Sequence, residues 1–396
     1  MKELSRSAQA VQASTTLAID ALFKQMKADG IDVIGFGAGE PDFNTPDNIK
    51  AVAHRAIDEN KTRYTPAAGI MELRRAVCKR LKEDCGLEYE PAQVVVASGA
   101  KHCLFVALQV LLNPGDEVIL PAPFWVSYYE LIKMAGGVPI VVTAGEEDGF
   151  KISAEKLSAA ITPNTKAMIL NNPSNPTGMM YTKEELKAIA DVCVKNDIYV
   201  ISDEIYYSLV YDGREFTSFA SLSEEAKERT IIVNGVSKSY AMTGWRIGYT
   251  VSNARIAKVM SNYLSHSTSA PSSVSQWAAV EALEGPQDEV FSMRDEFALR
   301  RDYIVERMNQ IDGVSCLNPE GAFYVMMNIE KLIGRKFGEI KITDSDSFAK
   351  AFLEQGLVAV VPCSGFGAAN FVRWSYATSM HNIKEGLDRL EKFLAN

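Results

Sequence analysis

The feature that most constrains the fold is a regular alternation of short apolar runs with amphipathic segments between residues 92 and 252. Some runs are apolar at consecutive positions, for example Tyr199-Val200-Ile201, which is typical of parallel strands covered by helices on both faces. Between the runs, segments such as 183–196 place apolar residues at helical spacing. We therefore predict an α/β domain with a seven-stranded, mostly parallel sheet covered by helices, with strands at residues 93–98, 116–121, 137–143, 165–172, 198–204, 230–237 and 245–252.

The pattern changes beyond Gly285. Residues 288–309 have the composition of one long charged helix, and the chain then mixes strand-like stretches at 321–328 and 357–362 with helical segments. We predict a second, smaller α+β domain in this part of the chain.

Composition and charge argue against several classes of protein. No stretch approaches the ~18 consecutive apolar residues of a membrane span, and the first 20 residues lack the apolar core of a signal peptide. We therefore expect a cytoplasmic protein without a membrane partner. The net charge of -9 argues against nucleic-acid binding. The six cysteines form no CxxC pair and the four histidines share no spacing, so we expect free thiols and no metal site.

Polar residues follow four of the predicted strands at the point where each one stops. In open α/β sheets, ligands bind outside the carboxyl ends of the strands. The pattern therefore predicts one binding site, formed by Ser98-Gly99-Ala100-Lys101, Asn171-Asn172-Pro173, Ser202-Asp203-Glu204 and Ser237-Lys238.

Two basic residues suggest a phosphorylated carbonyl compound as the ligand. Lys238 follows an apolar strand, and a lysine in a cleft can form an imine with a carbonyl such as that of pyridoxal phosphate. Arg246, between two glycines, offers a planar fork suited to phosphate oxygens. The amides of residues 99–101, which open a helix predicted over 102–112, form a natural phosphate cradle. A surface lysine and an arginine in a turn are the alternatives.

Three more side chains suit the ring of such a cofactor. Asp203 at a buried strand end needs a cationic or hydrogen-bonding partner, which a protonated pyridine nitrogen supplies; a helix cap is the alternative. Tyr206, three residues on, could reach the phenolic oxygen of the ring. Asn175 lies in a loop with two prolines that could project its amide into the cleft, although a plain turn also explains that composition.

In this order and spacing, the motifs resemble the class I/II aminotransferases of fold type I, which use pyridoxal 5′-phosphate. The motifs are Asn-Pro-x-Asn-Pro-Thr-Gly at 172–178, Ser-Asp-Glu-x-Tyr at 202–206 and Ser-Lys-x-x-x-x-x-Gly-x-Arg-x-Gly at 237–248. The resemblance extends from 39–43 to 372–376, and the stretches 123–128 and 241–246 are similar to the bacterial aspartate aminotransferase branch. It implies a large cofactor-binding domain at 46–285 and a small domain formed by 1–45 and 286–396.

The resemblance also implies how the cofactor is held. Lys238 would bind it as an imine and then move a proton between the substrate α-carbon and the cofactor, while Asp203 would pair with the pyridinium nitrogen. The remaining implied contacts are those of Tyr206 and Asn175 with the phenolate oxygen, of Trp125 with the ring face, of Ser237, Arg246 and the amides of Gly99, Ala100 and Lys101 with the phosphate, and of Tyr64 with the phosphate bound by the partner subunit of a homodimer.

For the substrate, the resemblance implies that Arg373 clamps the α-carboxylate, helped by the Gly39 amide and with Asn175 and Trp125 nearby. The resemblance further implies that Lys101 replaces an arginine of the partner subunit, which binds the side-chain carboxylate in the enzymes of higher organisms. Residues 14–16 could line the same pocket. The implied reaction moves the amino group of L-aspartate to 2-oxoglutarate, giving oxaloacetate and L-glutamate.

Other functions remain open on the sequence alone. Relatives that accept prephenate carry a basic residue near the N-terminal stretch, where this chain has Gln12, so the sequence favours aspartate. Prephenate and aromatic amino acids are the alternative substrates. A pyridoxal-phosphate-dependent C–S lyase would share the same fold, since a fold does not fix the reaction. A cofactor-binding protein without turnover is a third alternative. A nicotinamide dehydrogenase is disfavoured because no predicted strand is followed by GxGxxG.

Overall fold

The computed structural model describes residues 2–9, 11 and 16–395, and within these residues it contains fifteen β-strands and fourteen α-helices. The strands, β1–β15 in chain order, are Ile34–Gly35, Val94–Ala97, Glu117–Ala122, Val138–Thr143, Thr165–Asn171, Tyr199–Asp203, Thr230–Gly235, Gly248–Val251, Ser315–Cys316, Tyr324–Asn328, Lys336–Phe337, Ile340–Lys341, Val358–Ala359, Val361–Pro362 and Phe371–Ser375. The helices, α1–α14, are Arg6–Gln9, Thr16–Ala28, Asp47–Asp58, Met71–Cys85, Ala100–Leu111, Val126–Met134, Ala154–Ala160, Lys183–Lys195, Glu224–Arg229, Ala254–His266, Ser273–Glu284, Asp288–Asn309, Ser345–Gly356 and Met380–Leu394.

A seven-stranded sheet forms the centre of the larger part of the molecule, with the strand order β2-β8-β7-β6-β5-β3-β4. Only β8 is antiparallel to its neighbours, β2 and β7, so the sheet is mostly parallel. The α/β prediction is confirmed, and each of the seven predicted strands is present. Every residue of β7 is buried, and its central run Ile231-Ile232-Val233 is typical of a strand covered on both faces. The edge strand β4 is only partly buried, because it has a neighbour on one side.

Local sequence signals explain where several helices begin. The segment predicted over 183–196 is α8, which starts after a capping box: the Glu185 amide donates to the Thr182 hydroxyl at 3.2 Å, and the Thr182 amide donates to the Glu185 carboxylate at 2.7 Å. The long helix predicted over 288–309 is α12. The helix predicted over 102–112 is α5, which begins two residues earlier, at Ala100, because Gly99 adopts φ 85° and turns the chain directly into the helix.

The C-terminal part of the chain forms a four-stranded antiparallel sheet with the order β14-β15-β10-β9. The short strand β1 pairs in parallel with β13, which joins the N-terminal segment to this region. We propose on this basis that residues 1–45 and 286–396 form the small domain and residues 46–285 the large one.

One segment of the proposed large domain packs into the small one. After β6, the side chains of Ile205, Leu209 and Tyr211 are buried in the same apolar cluster as Phe323 of the C-terminal region. The buried Arg301 of α12 binds the carboxylate of Asp212 with both terminal nitrogens, each at 2.7 Å. The two regions are therefore connected directly beside the end of β6.

Two further observations concern the described residues as a whole. No helix among them is long and apolar enough to cross a bilayer, and no group of three or more His, Cys, Asp or Glu side chains among them is arranged to hold a metal ion. The six cysteines are all free thiols, and four of them are buried. Burial raises the pKa of Cys78 to about 11, so this thiol stays protonated at neutral pH.

Candidate active site

The polar ends of β2, β5, β6 and β7 meet in one cavity of about 480 Å³. The cavity is completed by Tyr324 and Arg373 from the C-terminal sheet and by residues 39–40. Asn171 lines the cavity, as do eleven of the thirteen residues to which the sequence assigned a contact with cofactor or substrate, namely Gly39, Ala100, Lys101, Trp125, Asn175, Asp203, Tyr206, Ser237, Lys238, Arg246 and Arg373. Of the other two, Gly99 lies directly behind the cavity wall, and Tyr64 lies elsewhere on the surface.

Lys238 lies in a turn, three residues beyond the end of β7. Its ammonium donates a hydrogen bond to the carbonyl oxygen of Gly39. The pKa of Lys238 is lowered to about 8, mainly by burial. Glu40 opposes this shift, whereas the charges of Arg373 and Arg246 add to it. A substantial fraction of the amine is therefore neutral near pH 8, which is the form that attacks a carbonyl.

Asp203 ends β6 with its carboxylate buried in the floor of the cavity. The hydroxyl of Tyr128 donates to Oδ2 at 2.7 Å, and the Ile205 amide donates to Oδ1 at 3.2 Å. Burial raises the pKa of Asp203 to about 6 in spite of these two donors. A cation placed beside this carboxylate would be bound and would hold the carboxylate ionised. The geometry thus suits a protonated ring nitrogen.

Arg373, in β15, is held by the protein but keeps one donor free. Its Nη1 donates to Oδ1 of Asn175 at 2.9 Å and its Nη2 donates to the Gly37 carbonyl at 3.1 Å. The buried Nε finds no hydrogen-bond partner among the described residues. A buried donor without a partner is costly, so this one points to a missing acceptor, and a carboxylate is the acceptor that a guanidinium binds best.

The place where β2 meets α5 is suited to an anion. The first amides of a helix have no partner within it, and those of Ala100 and Lys101 lie at this open end. The Gly99 amide already donates to the Ala97 carbonyl at 2.7 Å. Arg246 adopts φ 58° and donates from Nη2 to the Ser98 carbonyl at 3.2 Å, which fixes its guanidinium beside the amides. Gly99 adopts φ 85°, which strains any other residue, and a Cβ there would lie 2.5 Å from Arg246 Nη2 and displace the guanidinium.

Lys101 and Trp125 line the cavity together. The Lys101 ammonium lies 4.7 Å from the centroid of the indole, and both burial and the charge of Arg246 lower the pKa of Lys101. Lys101 thus supplies a second positive charge to the cavity, beside that of Arg373. The predicted contribution of residues 14–16 to this pocket, and the interpretation of Gln12, concern positions or side chains outside those that the structure describes.

Sequence reasoning missed several residues of the cavity. Tyr128 could have been found, because it lies three residues after Trp125 at the start of α6 and so faces the same side. Tyr324, whose hydroxyl lies 3.0 Å from that of Tyr206, had no local signal, since 118 residues separate the two in the sequence. Thr243 also lines the cavity and donates to the Glu40 carboxylate at 2.6 Å.

The fold and this cavity define a lysine-based enzyme that binds a small anionic compound at the carboxyl edge of a parallel sheet. The chain belongs to the family of class I and II aminotransferases, whose model, "Aminotransferase class I and II", matches residues 31–390. It is 50% identical over 395 residues to an aspartate aminotransferase of Bacillus sp. (strain YM-2), with all of both chains covered. An aspartate/prephenate aminotransferase of Cereibacter sphaeroides is 48% identical over 397 residues, which cover 100% of this chain and 99% of the relative.

The solved structures agree with the sequence comparison. The crystal structure of an aspartate aminotransferase from Rhizobium meliloti superposes with a TM-score of 0.96 at 41% identity, and the match covers 99% of this chain and 98% of that one. Enzymes of this family use pyridoxal 5′-phosphate. The site fits that cofactor on its own evidence: it offers a lysine with a lowered pKa, a buried carboxylate suited to a cation, and open helix amides beside an arginine.

Proposed function

We propose that this chain is an aminotransferase that moves the amino group of L-aspartate to 2-oxoglutarate, giving oxaloacetate and L-glutamate. The observation that carries the proposal is that two cationic side chains, Arg373 and Lys101, line the same cavity as Lys238. Aspartate, glutamate and their oxo acids each have two carboxylates, which match these two charges. The relatives named as aspartate aminotransferases support the same substrate.

In this proposal the cofactor is held by residues that already surround the cavity. Lys238 provides the covalent attachment, Asp203 faces the ring nitrogen and Trp125 covers the ring. Tyr206 and Asn175 bind the phenolic oxygen. The phosphate is bound by Ser237, by Arg246 and by the amides of Ala100 and Lys101. The amide of Gly99, which the sequence also assigned to the phosphate, is already engaged by the Ala97 carbonyl. When bound, pyridoxal phosphate takes up the amino group and delocalises the electron pair left at the substrate α-carbon.

The chain itself supplies proton transfer, charge and orientation. Lys238 would act as the base that removes the substrate α-proton and later returns a proton to the product side. Burial lowers its pKa to about 8, so its two protonation states are close in free energy near neutral pH. Asp203 keeps a positive charge on the ring nitrogen, which draws electrons away from the α-carbon.

Arg373 orients the substrate through its α-carboxylate. The free Nε and the terminal nitrogens together form the fork that binds a carboxylate with two parallel hydrogen bonds. Asn175 and the Gly37 carbonyl hold that fork in place before any substrate arrives. Lys101 then pairs with the side-chain carboxylate.

The assay that tests the proposal supplies aspartate and 2-oxoglutarate to the cofactor-loaded protein and measures oxaloacetate. We expect turnover and a yellow protein, and we expect Lys238→Ala to lose both the visible absorbance of the attached cofactor and the transamination. A Lys238→Ala protein that works at the wild-type rate would contradict the assignment of the anchor. A wild-type protein that binds the cofactor yet forms no oxaloacetate would contradict the assignment of aspartate as the substrate.

Prephenate is a second candidate acceptor, because a relative at 48% identity is named an aspartate/prephenate aminotransferase. Prephenate also has two carboxylates, so the two cations suit it as well. The same assay with prephenate in place of 2-oxoglutarate decides between an enzyme with one acceptor and an enzyme with two.

The proposal includes a homodimer with shared active sites and a cytoplasmic location. Tyr64 supports the dimer: its side chain is 103% exposed and lies outside the cavity of its own chain, where it is available to the phosphate bound by a partner. The six free cysteines support the location, since this usage is typical of reducing compartments.

A further inference from the structure

Tyr324 lies between the two functional parts of the cavity. It begins β10, where it pairs with Ser375 of β15, and so lies diagonally across from Arg373 on the same face of the sheet. The guanidinium carbon of Arg373 is 4.4 Å from the centroid of the Tyr324 ring. The ring is fully buried and lines the cavity. The ring of Tyr324 therefore packs against the guanidinium of Arg373, which we propose binds the substrate α-carboxylate.

The hydroxyl of Tyr324 contacts Tyr206, which we propose binds the phenolic oxygen of the cofactor. The two hydroxyls lie 3.0 Å apart, and the two rings meet edge to face with centroids 5.8 Å apart. Phe323 packs against both rings, at centroid distances of 5.5 Å from Tyr206 and 4.7 Å from Tyr324. Both hydroxyls are thus held in place by packing, and their hydrogen bond does not depend on a flexible side chain.

The direction of this hydrogen bond follows from the number of protons. Each tyrosine hydroxyl has a single proton to donate. If Tyr206 donates its proton to the phenolic oxygen of the cofactor, the short contact between the two hydroxyls requires Tyr324 to be the donor. The result is a chain of hydrogen bonds from Tyr324 to Tyr206 to the cofactor oxygen, in which each bond polarises the next.

We propose that Tyr324 is a positioning residue that fixes the direction of the Tyr206 hydroxyl and at the same time supports Arg373, so that it couples carboxylate binding to the cofactor oxygen. This inference rests on the proposed function for the roles of Tyr206 and Arg373. Burial raises the pKa of the Tyr324 hydroxyl, and the charge of Arg373 opposes part of that rise, so the guanidinium makes Tyr324 a better donor than it would be without that charge. A substrate carboxylate on Arg373 neutralises part of that charge.

The first test is Tyr324→Phe, which keeps the ring under Arg373 and removes only the hydroxyl. A hydrogen bond to the phenolic oxygen favours the deprotonated form of the bound cofactor. Without the polarisation from Tyr324 this bond weakens, so the pH midpoint of the visible absorbance should rise by about 0.2–0.7 pH units. We expect kcat for aspartate to fall several-fold and KM to stay within about twofold, because the ring still packs against Arg373.

Two further variants test whether Tyr324 acts through its ring on Arg373 and through the Tyr206 hydroxyl on the cofactor oxygen. Tyr324→Leu also removes the ring, so it should raise KM for aspartate and alanine alike, in addition to the effects of Tyr324→Phe. In a Tyr206→Phe background, Tyr324→Phe should produce no further shift of the absorbance midpoint, because the chain of hydrogen bonds is already broken. Tyr376→Phe is the matched control: it removes another buried hydroxyl, which binds the Ala322 carbonyl outside the cavity, and should not move the midpoint.

Two results would overturn the inference: an unshifted midpoint in Tyr324→Phe, or an equal shift with and without Tyr206. The absorbance titration requires only bound cofactor and no turnover. A wild-type protein that titrates normally but does not transaminate aspartate would therefore count against the proposed function alone. If wild type transaminates aspartate and Tyr324→Phe leaves the pH midpoint of the visible absorbance unchanged, that result would count against the coupling alone.

Discussion

At the scale of single residues, the proposed substrate preference depends on two cationic side chains: Arg373 binds the α-carboxylate and Lys101 binds the side-chain carboxylate. Arg373 is held by Asn175 and the Gly37 carbonyl, and every amino acid offers it an α-carboxylate. Lys101 rests against Trp125 with a pKa lowered by burial, so an anion beside it restores its preference for the charged form. In the proposed assignment only acidic substrates supply that anion.

We therefore expect Lys101→Ala to lower kcat/KM for aspartate about tenfold to a hundredfold, which corresponds to the ~1.5–3 kcal/mol of one charge-assisted hydrogen bond. Activity on alanine should stay nearly unchanged, and cofactor affinity should hold because the amide at position 101 survives the substitution. The measurement is kcat/KM for both donors.

Lys133→Ala is the control for Lys101→Ala, since Lys133 also lies over an aromatic ring, that of Tyr129, but outside the cavity. It should leave both donors unaffected. Equal losses for aspartate and alanine in Lys101→Ala would show that Lys101 serves the phosphate site or the fold, and that the side-chain carboxylate is read elsewhere.

At the scale of elements, the carboxyl end of β6 places two acidic residues side by side. Asp203 faces the cavity, whereas Glu204 is buried away from it and accepts hydrogen bonds from the Ser202 and Ser218 hydroxyls, both at 2.8 Å, and from the Phe219 amide at 3.3 Å. Burial raises the pKa of Glu204 from its ordinary 4.5 to about 7. The folded chain thus prefers the protonated form of Glu204 over a pH range in which the unfolded chain is ionised.

The stabilising contribution of Glu204 is therefore fully present below about pH 4.5 and is lost as the pH rises through about 7. Glu204→Gln keeps the shape and the acceptor but cannot ionise. We expect the free energy of unfolding of this variant minus that of wild type to be about 1–3 kcal/mol larger at pH 8 than at pH 5. Denaturant titrations of the cofactor-free protein at the two pH values measure this difference.

Asp203, whose pKa is raised to about 6, titrates in the same range but is present in both proteins and largely cancels in the comparison. Glu284→Gln, at the exposed end of α11, provides the control. Its free energy of unfolding relative to wild type should be the same at the two pH values. A Glu204→Gln protein with the same pH profile as wild type would mean that Glu204 titrates normally in spite of its burial.

Elements were predictable where the signal is local. The apolar runs of β6 and β7 and the capping box of α8 each lie within a few residues, so their positions follow from the sequence. The site residues at the strand ends were predictable for the same reason. Contacts between distant segments were not: nothing near residue 205 announces that residues 205–211 pack against the C-terminal region, and the pairing of Tyr206 with Tyr324 exists only in the folded chain.

At the scale of the whole molecule, the cavity of one chain lacks a residue that the proposal assigns to it. Tyr64 lies in the connection between α3 and α4, fully exposed. We expect the protein to be a dimer in solution and Tyr64→Ala to weaken cofactor binding about tenfold to a hundredfold, since one charge-assisted hydrogen bond to the phosphate is lost. Equilibrium dialysis of the cofactor measures the affinity.

Mixed dimers show which chain Tyr64 serves. When Tyr64→Ala chains are combined with Lys238→Ala chains, each mixed dimer contains one site with an intact Lys238 from one chain and an intact Tyr64 from the other. Such dimers should recover one tight cofactor site and about half the wild-type activity per mixed dimer. Mixed dimers without recovery, or a fully active monomer, would place Tyr64 outside the phosphate site.

Apart from Arg246 at the proposed phosphate site, the cations that line the cavity come from three separate elements: Lys238 follows β7, Arg373 lies in β15 and Lys101 lies in the first turn of α5. Three contacts that do not lie on one line distinguish a molecule from its mirror image. In the proposed binding mode, an acidic amino acid directs its α-carboxylate to Arg373, its side-chain carboxylate to Lys101 and its amino group towards Lys238, so these three contacts together select one enantiomer. A neutral amino acid makes only two of the contacts, and its chirality must be recognised by the shape of the wall around Trp125.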